Sequence, residues 1–212
     1  MDVNGIVVRT RDVGESDKLV TIATPLGLLT AKAKGVKKST SKLKSSVVVL
    51  SFGEFSVTEG KVGFILNGAN VTESFHSCWT DPDRYAAAML CLEIYEKLND
   101  TPSGRYGNLD VEPIGFISLL KALRDVNYGD TYPPAVALQY GLKTGVEAGL
   151  DIDFFPEEIR PVFKALYESE SIVDAMTDFS FTDVKKFLMH LAAGYKASLN
   201  INLTVAGEIF RM

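Results

Sequence analysis

The stretch Lys18-Leu19-Val20-Thr21-Ile22-Ala23-Thr24-Pro25-Leu26-Gly27-Leu28-Leu29-Thr30-Ala31-Lys32-Ala33-Lys34 decides how the first third of the chain folds. Two apolar and β-branched runs flank a Pro-x-Gly turn, which predicts a hairpin. In the second run Lys32 and Lys34 fall on one face and Ala31 and Ala33 on the other, because successive strand residues point to opposite sides. Upstream, Ile6-Val7-Val8-Arg9-Thr10-Arg11 reads as a further strand that ends at residues 12–16. Downstream, residues 35–46 read as a mobile basic loop. Residues 47–58 and 62–71 read as two more strands around the turn Glu59-Gly60-Lys61.

Five short strands in roughly 75 residues suit a small closed barrel of the oligonucleotide-binding (OB) type, since closure removes exposed strand edges. The remainder reads as helical. Asp81-Pro82 is a start signal, a capping acid followed by proline in the first turn, and Ala88, Cys91, Tyr95 and Leu98 then recur at helical spacing. After a Gly/Asn-rich connector at residues 104–108, helices are expected over residues 113–126, with Ile117, Leu120 and Leu123 on one face, and over 134–150. Two further helices are expected over 156–167 and 182–199. Gly141, Gly145 and Gly149 form a stripe on the second of these four helices and predict close helix contact, since each costs about 1 kcal/mol of helix stability against Ala. Val184, Phe187, Leu188, Leu191 and Tyr195 mark the core face of the last helix. The expected fold is therefore α+β, with an OB-type five-stranded β-barrel over residues 1–78 and an α-helical domain over 79–212.

At 212 residues and 46% apolar composition, the chain is long enough to bury a core as one large or two small domains. No apolar run approaches the roughly 18 to 20 residues of a membrane span, and Met1-Asp2-Val3-Asn4 lacks a charged-then-apolar leader, so a soluble, cytoplasmic protein is expected. Cys78 and Cys91 are too few for a disulfide framework or a four-thiolate zinc site, and no cofactor is expected.

Charge is distributed unevenly. Residues 1–80 carry ten Lys/Arg against seven Asp/Glu, whereas residues 81–212 carry twelve against twenty, giving the overall −5. Between Asp17 and Glu54 no acid occurs, while Lys18, Lys32, Lys34, Lys37, Lys38, Lys42 and Lys44 all do. Such a single-sign field attracts polyanions, nucleic acid above all. With Arg9 and Arg11 on the first strand, these cations could line one side of the barrel and track a phosphate backbone. The alternative is a solvated lysine-rich loop. Phe52, Phe55 and Phe64 lie on strands, where core packing is the commoner use of phenylalanine.

Catalytic groupings are scarce. His76 and Cys78 lack a third, orienting group, His190 lies within the last helix, and Gly60-Lys61 is followed by Val62 where a phosphate loop needs Ser or Thr. The acids Asp151, Asp153, Glu157 and Glu158 sit near a helix start, where they complement its dipole. A non-enzymatic protein is expected.

The run Gly5-Ile6-Val7-Val8-Arg9-Thr10-Arg11-Asp12-Val13-Gly14-Glu15-Ser16-Asp17-Lys18-Leu19-Val20, then Thr24-Pro25-Leu26-Gly27 and Ala33-Lys34-Gly35-Val36-Lys37-Lys38-Ser39-Thr40-Ser41, closely resembles the start of the RecO family of DNA repair proteins. A weaker similarity continues through Asn70-Val71-Thr72-Glu73-Ser74-Phe75, the helix holding Leu92-Glu93, and residues 138–150. The resemblance implies an OB barrel followed by a helical domain, and a DNA-binding recombination mediator that anneals strands in recombinational repair. Single- and double-stranded DNA, RecR, RecA and the single-strand binding protein are its implied partners. Matched position by position, it implies DNA contacts at Arg9, Arg11, Lys34, Lys37 and Lys38, to which electrostatics adds Lys18, Lys32, Lys42 and Lys44. In the helix that receives the acidic tail of the single-strand binding protein, the family's basic positions are Leu138 and Gln139 here, leaving Gln139 and Lys143 as the candidate contacts. After Gly149-Leu150-Asp151-Ile152-Asp153 no cysteine follows, which implies a shortened variant without the family's zinc module, and Leu203-Thr204-Val205-Ala206-Gly207 replaces a basic C-terminal segment. A protein-interaction scaffold of the same fold, with little direct DNA binding, is the competing expectation.

Overall fold

Five strands form a closed barrel in the order β1-β2-β3-β5-β4. These are β1 (Asp2–Val13), β2 (Asp17–Thr24), β3 (Gly27–Ala33), β4 (Phe52–Gly60) and β5 (Gly63–Glu73). The computed structural model describes residues 1–61, 63–100, 113–170 and 179–209, so the connector expected at 104–108 lies outside the described residues. All neighbouring strands are antiparallel except β3 and β5, whose parallel pairing gives the barrel its OB-type topology. Two compact units are present, one built on Met1–Phe75 and the other on His76–Leu98 and the described residues from Ile117 onward.

Alternation drives the barrel. β3 buries Gly27, Leu29, Ala31 and Ala33 and leaves Leu28, Thr30 and Lys32 half-buried, and the inward set joins Val3, Val7, Val20, Ile22, Phe55, Val57 and Leu66 in one core. Phe55 is fully buried and Phe64 packs against the same core. Gly5 and Gly53 face each other where β1 meets β4. A Cβ at Gly53 would lie 2.2 Å from the Asn70 carbonyl oxygen of β5, and one at Gly5 would lie 2.5 Å from that of Ala23 on β2, so both positions need bare backbone against their other neighbouring strand.

The strands differ from expectation in three respects. β1 extends to both sides of residues 6–11. Residues 47–50, three valines and a leucine, form a turn, and Val47 and Leu50 enter the interior from it, Leu50 at φ +69° with its amide donating to Val7 O at 2.9 Å. The basic loop is not a featureless excursion but a run of hydrogen-bonded turns, with Lys38 N to Gly35 O at 3.1 Å, Ser41 N to Lys38 O at 3.1 Å and Ser46 N to Leu43 O at 3.0 Å. Val36 and Val47 anchor its two ends in the barrel core.

The second unit contains helices α1 (Ser77–Thr80), α2 (Pro82–Asn99), α3 (Phe116–Tyr128), α4 (Pro133–Glu147), α5 (Arg160–Glu168), α6 (Phe181–Leu199) and α7 (Thr204–Ile209), with a 3₁₀ turn at Ile152–Phe154. Asp81 caps α2 by accepting from Arg84 N at 3.0 Å, and Ser180 with Asp183 forms a capping box on α6. The expected face of α6 is buried throughout. On α3 the stripe is rotated from the expected one: Phe116, Leu119, Leu123 and Val126 are buried, while Ile117 is 75% exposed. Gly141 and Gly145 do permit close approach, since a Cβ at Gly141 would meet Leu191 and Ile94 at 2.8 and 2.9 Å and one at Gly145 would meet Tyr195 at 2.9 Å. Tyr195 Oη donates to Gly141 O at 2.7 Å across this contact. Gly149 instead serves the turn after α4, at φ +104°. Leu203 is buried at the start of the segment that departs from the family pattern, and α7 follows it. The free N–H groups of Thr204 and Val205 donate to the Glu93 carboxylate at 2.8 and 2.9 Å.

Candidate nucleic-acid interface

The outer surface of the β1–β2–β3 sheet is set by a bulge. Val7 pairs with Ile22 and Arg9 with Thr21, so Val8 is the extra residue. Both Val7 and Val8 are buried, and the one-residue shift turns Arg9 and Arg11 outward; without it they would point into the core. Two cross-strand rows result. Arg9, Thr21 and Thr30 form one, with the threonine hydroxyls 3.2 Å apart, and Arg11, Leu19 and Lys32 form the next. Arg9, Arg11, Leu19, Thr21 and Thr30 line a shallow concavity on this face.

A second concavity lies one register step further along the β1–β2 pair, lined by Asp12, Lys18, Val36, Lys37, Lys44 and Val47. Asp12 and Lys18 are register partners, with Lys18 Nζ 4.0 Å from the Asp12 carboxylate, and Lys37 Nζ donates to the same carboxylate at 2.7 Å. The hydrogen bond from Lys37 holds the Asp12 carboxyl below its ordinary pKa.

Asp17 joins the two regions and was not singled out by sequence reasoning. Its carboxylate accepts from the Gly35 amide at 2.7 Å, from Lys32 Nζ at 2.9 Å and from Ser16 Oγ at 3.2 Å. The Gly35 amide and then Lys32 lower its pKa to about 2. Gly35 sits at φ +64°, a conformation suited to glycine, and Lys37 N donates to Ser16 O at 2.9 Å. The basic loop is thus tied at two points to the β1–β2 turn. The only signal for this in the sequence was the recurrence of Asp17 and Gly35 in the family pattern, a resemblance without a stated physical role.

The structure therefore gathers the expected cations into two clusters instead of one row. Arg9 and Arg11 share the first concavity, with Lys32 beside them, and Lys18, Lys37 and Lys44 share the second. Lys34, Lys38 and Lys42 lie exposed on the loop outside both. Among the described residues Lys18, Lys32 and Lys37 face carboxylates, whereas no ion pair reaches Arg11, Lys34, Lys38, Lys42 or Lys44.

The other expected positions lie in the helical unit and have intrachain partners. Gln139 Nε2 donates to Leu166 O and Ser169 O, both at 3.0 Å, and Lys143 Nζ donates to Ser169 O at 2.6 Å. Both satisfy carbonyls at the C-terminal end of α5, where a cation is favoured by the helix dipole. Cys78 is buried with its thiol pushed up to about 11 by desolvation, and burial pushes Cys91 higher still. Reactive thiols show the opposite shift. Among the described residues no three His, Cys, Asp or Glu side chains are grouped to hold a metal, and no helix is long and apolar enough to cross a membrane.

A closed five-stranded barrel of OB-type topology, with cations clustered on its first strands and adjoining loop, places residues 1–75 in the OB-fold class. Residues 1–75 match the family model described as recombination protein O N terminal. The chain is 33% identical over 94 residues to a DNA repair protein RecO of Desulfitobacterium hafniense, covering 44% of this chain and 34% of that protein. It is 35% identical over 102 residues to the RecO of Clostridium perfringens, covering 47% and 42%. Against the RecO of Clostridium kluyveri it is 29% identical over 140 residues, covering 58% and 54%. The chain is thus similar to RecO-family proteins over part of its length, and it spans between about a third and about half of the length of these curated relatives.

Proposed function

We propose that this chain binds single- and double-stranded DNA along the phosphate backbone, without sequence preference, as a non-catalytic mediator and annealing factor in recombinational DNA repair. The observation that carries this is the set of cations without ion-pair partners among the described residues, Arg11, Lys34, Lys38, Lys42 and Lys44, on β1 and the loop that Asp17 secures. Such a surface neutralises phosphates and reads no base. We assign DNA contact to residues 1–78 and any contacts with RecR, RecA or single-strand binding protein to residues 79–212, where the net charge is acidic. The names of the relatives support the repair role, and the work is envisaged in the cytoplasm.

Anisotropy of a labelled oligothymidylate, titrated at several salt concentrations, tests the reading. Five neutralised phosphates give a slope of about −3.5 for log affinity against log salt on a single strand. The variant K34A/K37A/K38A weakens binding and flattens that slope. If the native protein binds neither single- nor double-stranded DNA at low salt, direct engagement is wrong, and the interaction-scaffold reading takes its place.

A further inference from the structure

The second concavity is lined by three lysines, and two of their ammonium groups converge on a carboxylate of the same chain. Lys18 approaches from β2, Lys37 and Lys44 from the loop, and Val36 and Val47 form an apolar floor. Asp12 projects from the end of β1 and takes the contact of Lys37 at 2.7 Å and that of Lys18 at 4.0 Å. A carboxylate and a phosphodiester offer lysine the same chemistry, an oxyanion with more than one acceptor. Asp12 is 56% exposed at its side chain, and among the described residues Lys37 and Lys18 are the groups that hold its carboxylate. Asp17 differs: it accepts a backbone amide and builds the loop.

We propose that the pocket formed by Lys18, Lys37 and Lys44 is a phosphodiester subsite whose resident anion is the Asp12 carboxylate, which a DNA phosphate displaces on binding. Asp12 is thereby a specificity-determining residue. It raises the threshold for engagement, so that a single phosphate competes poorly while a continuous backbone, anchored on the neighbouring free cations, succeeds. Exposed ion pairs contribute little to stability, which is what makes this one exchangeable. The inference rests on the phosphate-binding reading above.

The test measures affinity for labelled oligothymidylate, and its salt dependence, in native protein, D12N, D12A and D12N/K37A. Removing one negative charge about 4 Å from a bound phosphate in a solvated setting tightens binding about fivefold at low salt. With Asp12 no longer competing for the one phosphate in the pocket, the single-strand salt slope steepens by at most about 0.7. In D12N/K37A most of the gain disappears, because the lysine that Asp12 occupied is gone. Native protein that binds with salt dependence, together with D12N and D12A that bind equally or more weakly, overturns the subsite and leaves the phosphate-binding reading intact. An equal gain in D12N and D12N/K37A also overturns it, since the effect is then one of net charge alone. If no variant binds at any salt, the phosphate-binding reading itself fails. Melting temperatures within a few degrees of native confirm that these exposed substitutions leave the fold in place.

Discussion

Replacing Gly53 by Ala forces β4 away from β5. The added Cβ would lie 2.2 Å from Asn70 O and 2.8 Å from Val71 Cα, both backbone atoms that cannot rotate away. Relief to a contact of 3.0 Å, below which real Cβ atoms essentially never approach, moves β4 from β5 by about 0.8 Å. A ladder hydrogen bond of about 2.9 Å stretched by that amount is no longer one. Loss of about two such bonds costs roughly 2 kcal/mol, and residual overpacking adds about 1–3 kcal/mol, so a destabilisation of about 3–5 kcal/mol is expected. At about 2–4 °C per kcal/mol for a chain of this length, the melting transition falls by at least about 6 °C. Calorimetry measures it, and amide hydrogen exchange along β4 and β5 locates the damage. Because the bulge that turns Arg9 and Arg11 outward sits on β1, which pairs with β4, oligothymidylate affinity falls as well. A G53A protein melting within about 2 °C of native, with unchanged exchange on β4 and β5, refutes the claim that the pairing of β4 with β5 needs bare backbone at this position.

Three further outcomes are expected. The Asp17 carboxyl titrates at about 2 when folded against an ordinary 3.8, so the stability it contributes is present above about pH 4 and lost as pH falls through 2. NMR titration of the Gly35 amide reports this midpoint, D17N abolishes it and deprotects the Gly35 and Lys37 amides, and an unprotected Gly35 amide in native protein at neutral pH contradicts the assignment. Tyr195→Phe, which removes the bond to Gly141 O, lowers stability by about 0.5–1.5 kcal/mol in denaturant unfolding and leaves DNA affinity unchanged. Arg11→Ala makes the single-strand salt slope shallower by about 0.7, and no change in slope removes Arg11 from the contact surface.

How far the fold could be read from the sequence follows from the range of the forces involved. The hairpin of β2 and β3 was legible because turn chemistry and period-two alternation are local, and α6 was legible because its apolar face lies within one segment. The bulge at Val8 was not legible. Ile6, Val7 and Val8 are equally apolar, and only pairing with β2 decides which of them is the extra residue. Residues 47–50 read as strand because Val47, Val48 and Val49 are β-branched, but their burial is decided by the barrel interior that two of these four residues plug. On α3 two stripes were compatible with the pattern, and packing chose the one containing Leu119 over the one containing Ile117. At the interface, charge alone identified the cations. Their sorting into free and paired groups depends on Asp12 and Asp17, acids that precede the acid-free stretch and that a count of its charges leaves out.

The parallel seam between β3 and β5 has a kinetic consequence. Ala31 pairs with Phe64 and Ala33 with Leu66, and β1 pairs with residues about fifty positions away on β4. The barrel cannot close until the chain has been made through β5, and topologies dominated by such distant pairings fold in milliseconds to seconds, whereas helical segments rich in local contacts form faster. In a refolding chain the basic loop, enclosed between β3 and β4, is therefore present as an unstructured polycation before the Val36 and Val47 anchors have a core to enter. Polyanions present at that stage meet the lysines before the barrel does, and the order of addition of DNA and protein during refolding becomes an experimental variable.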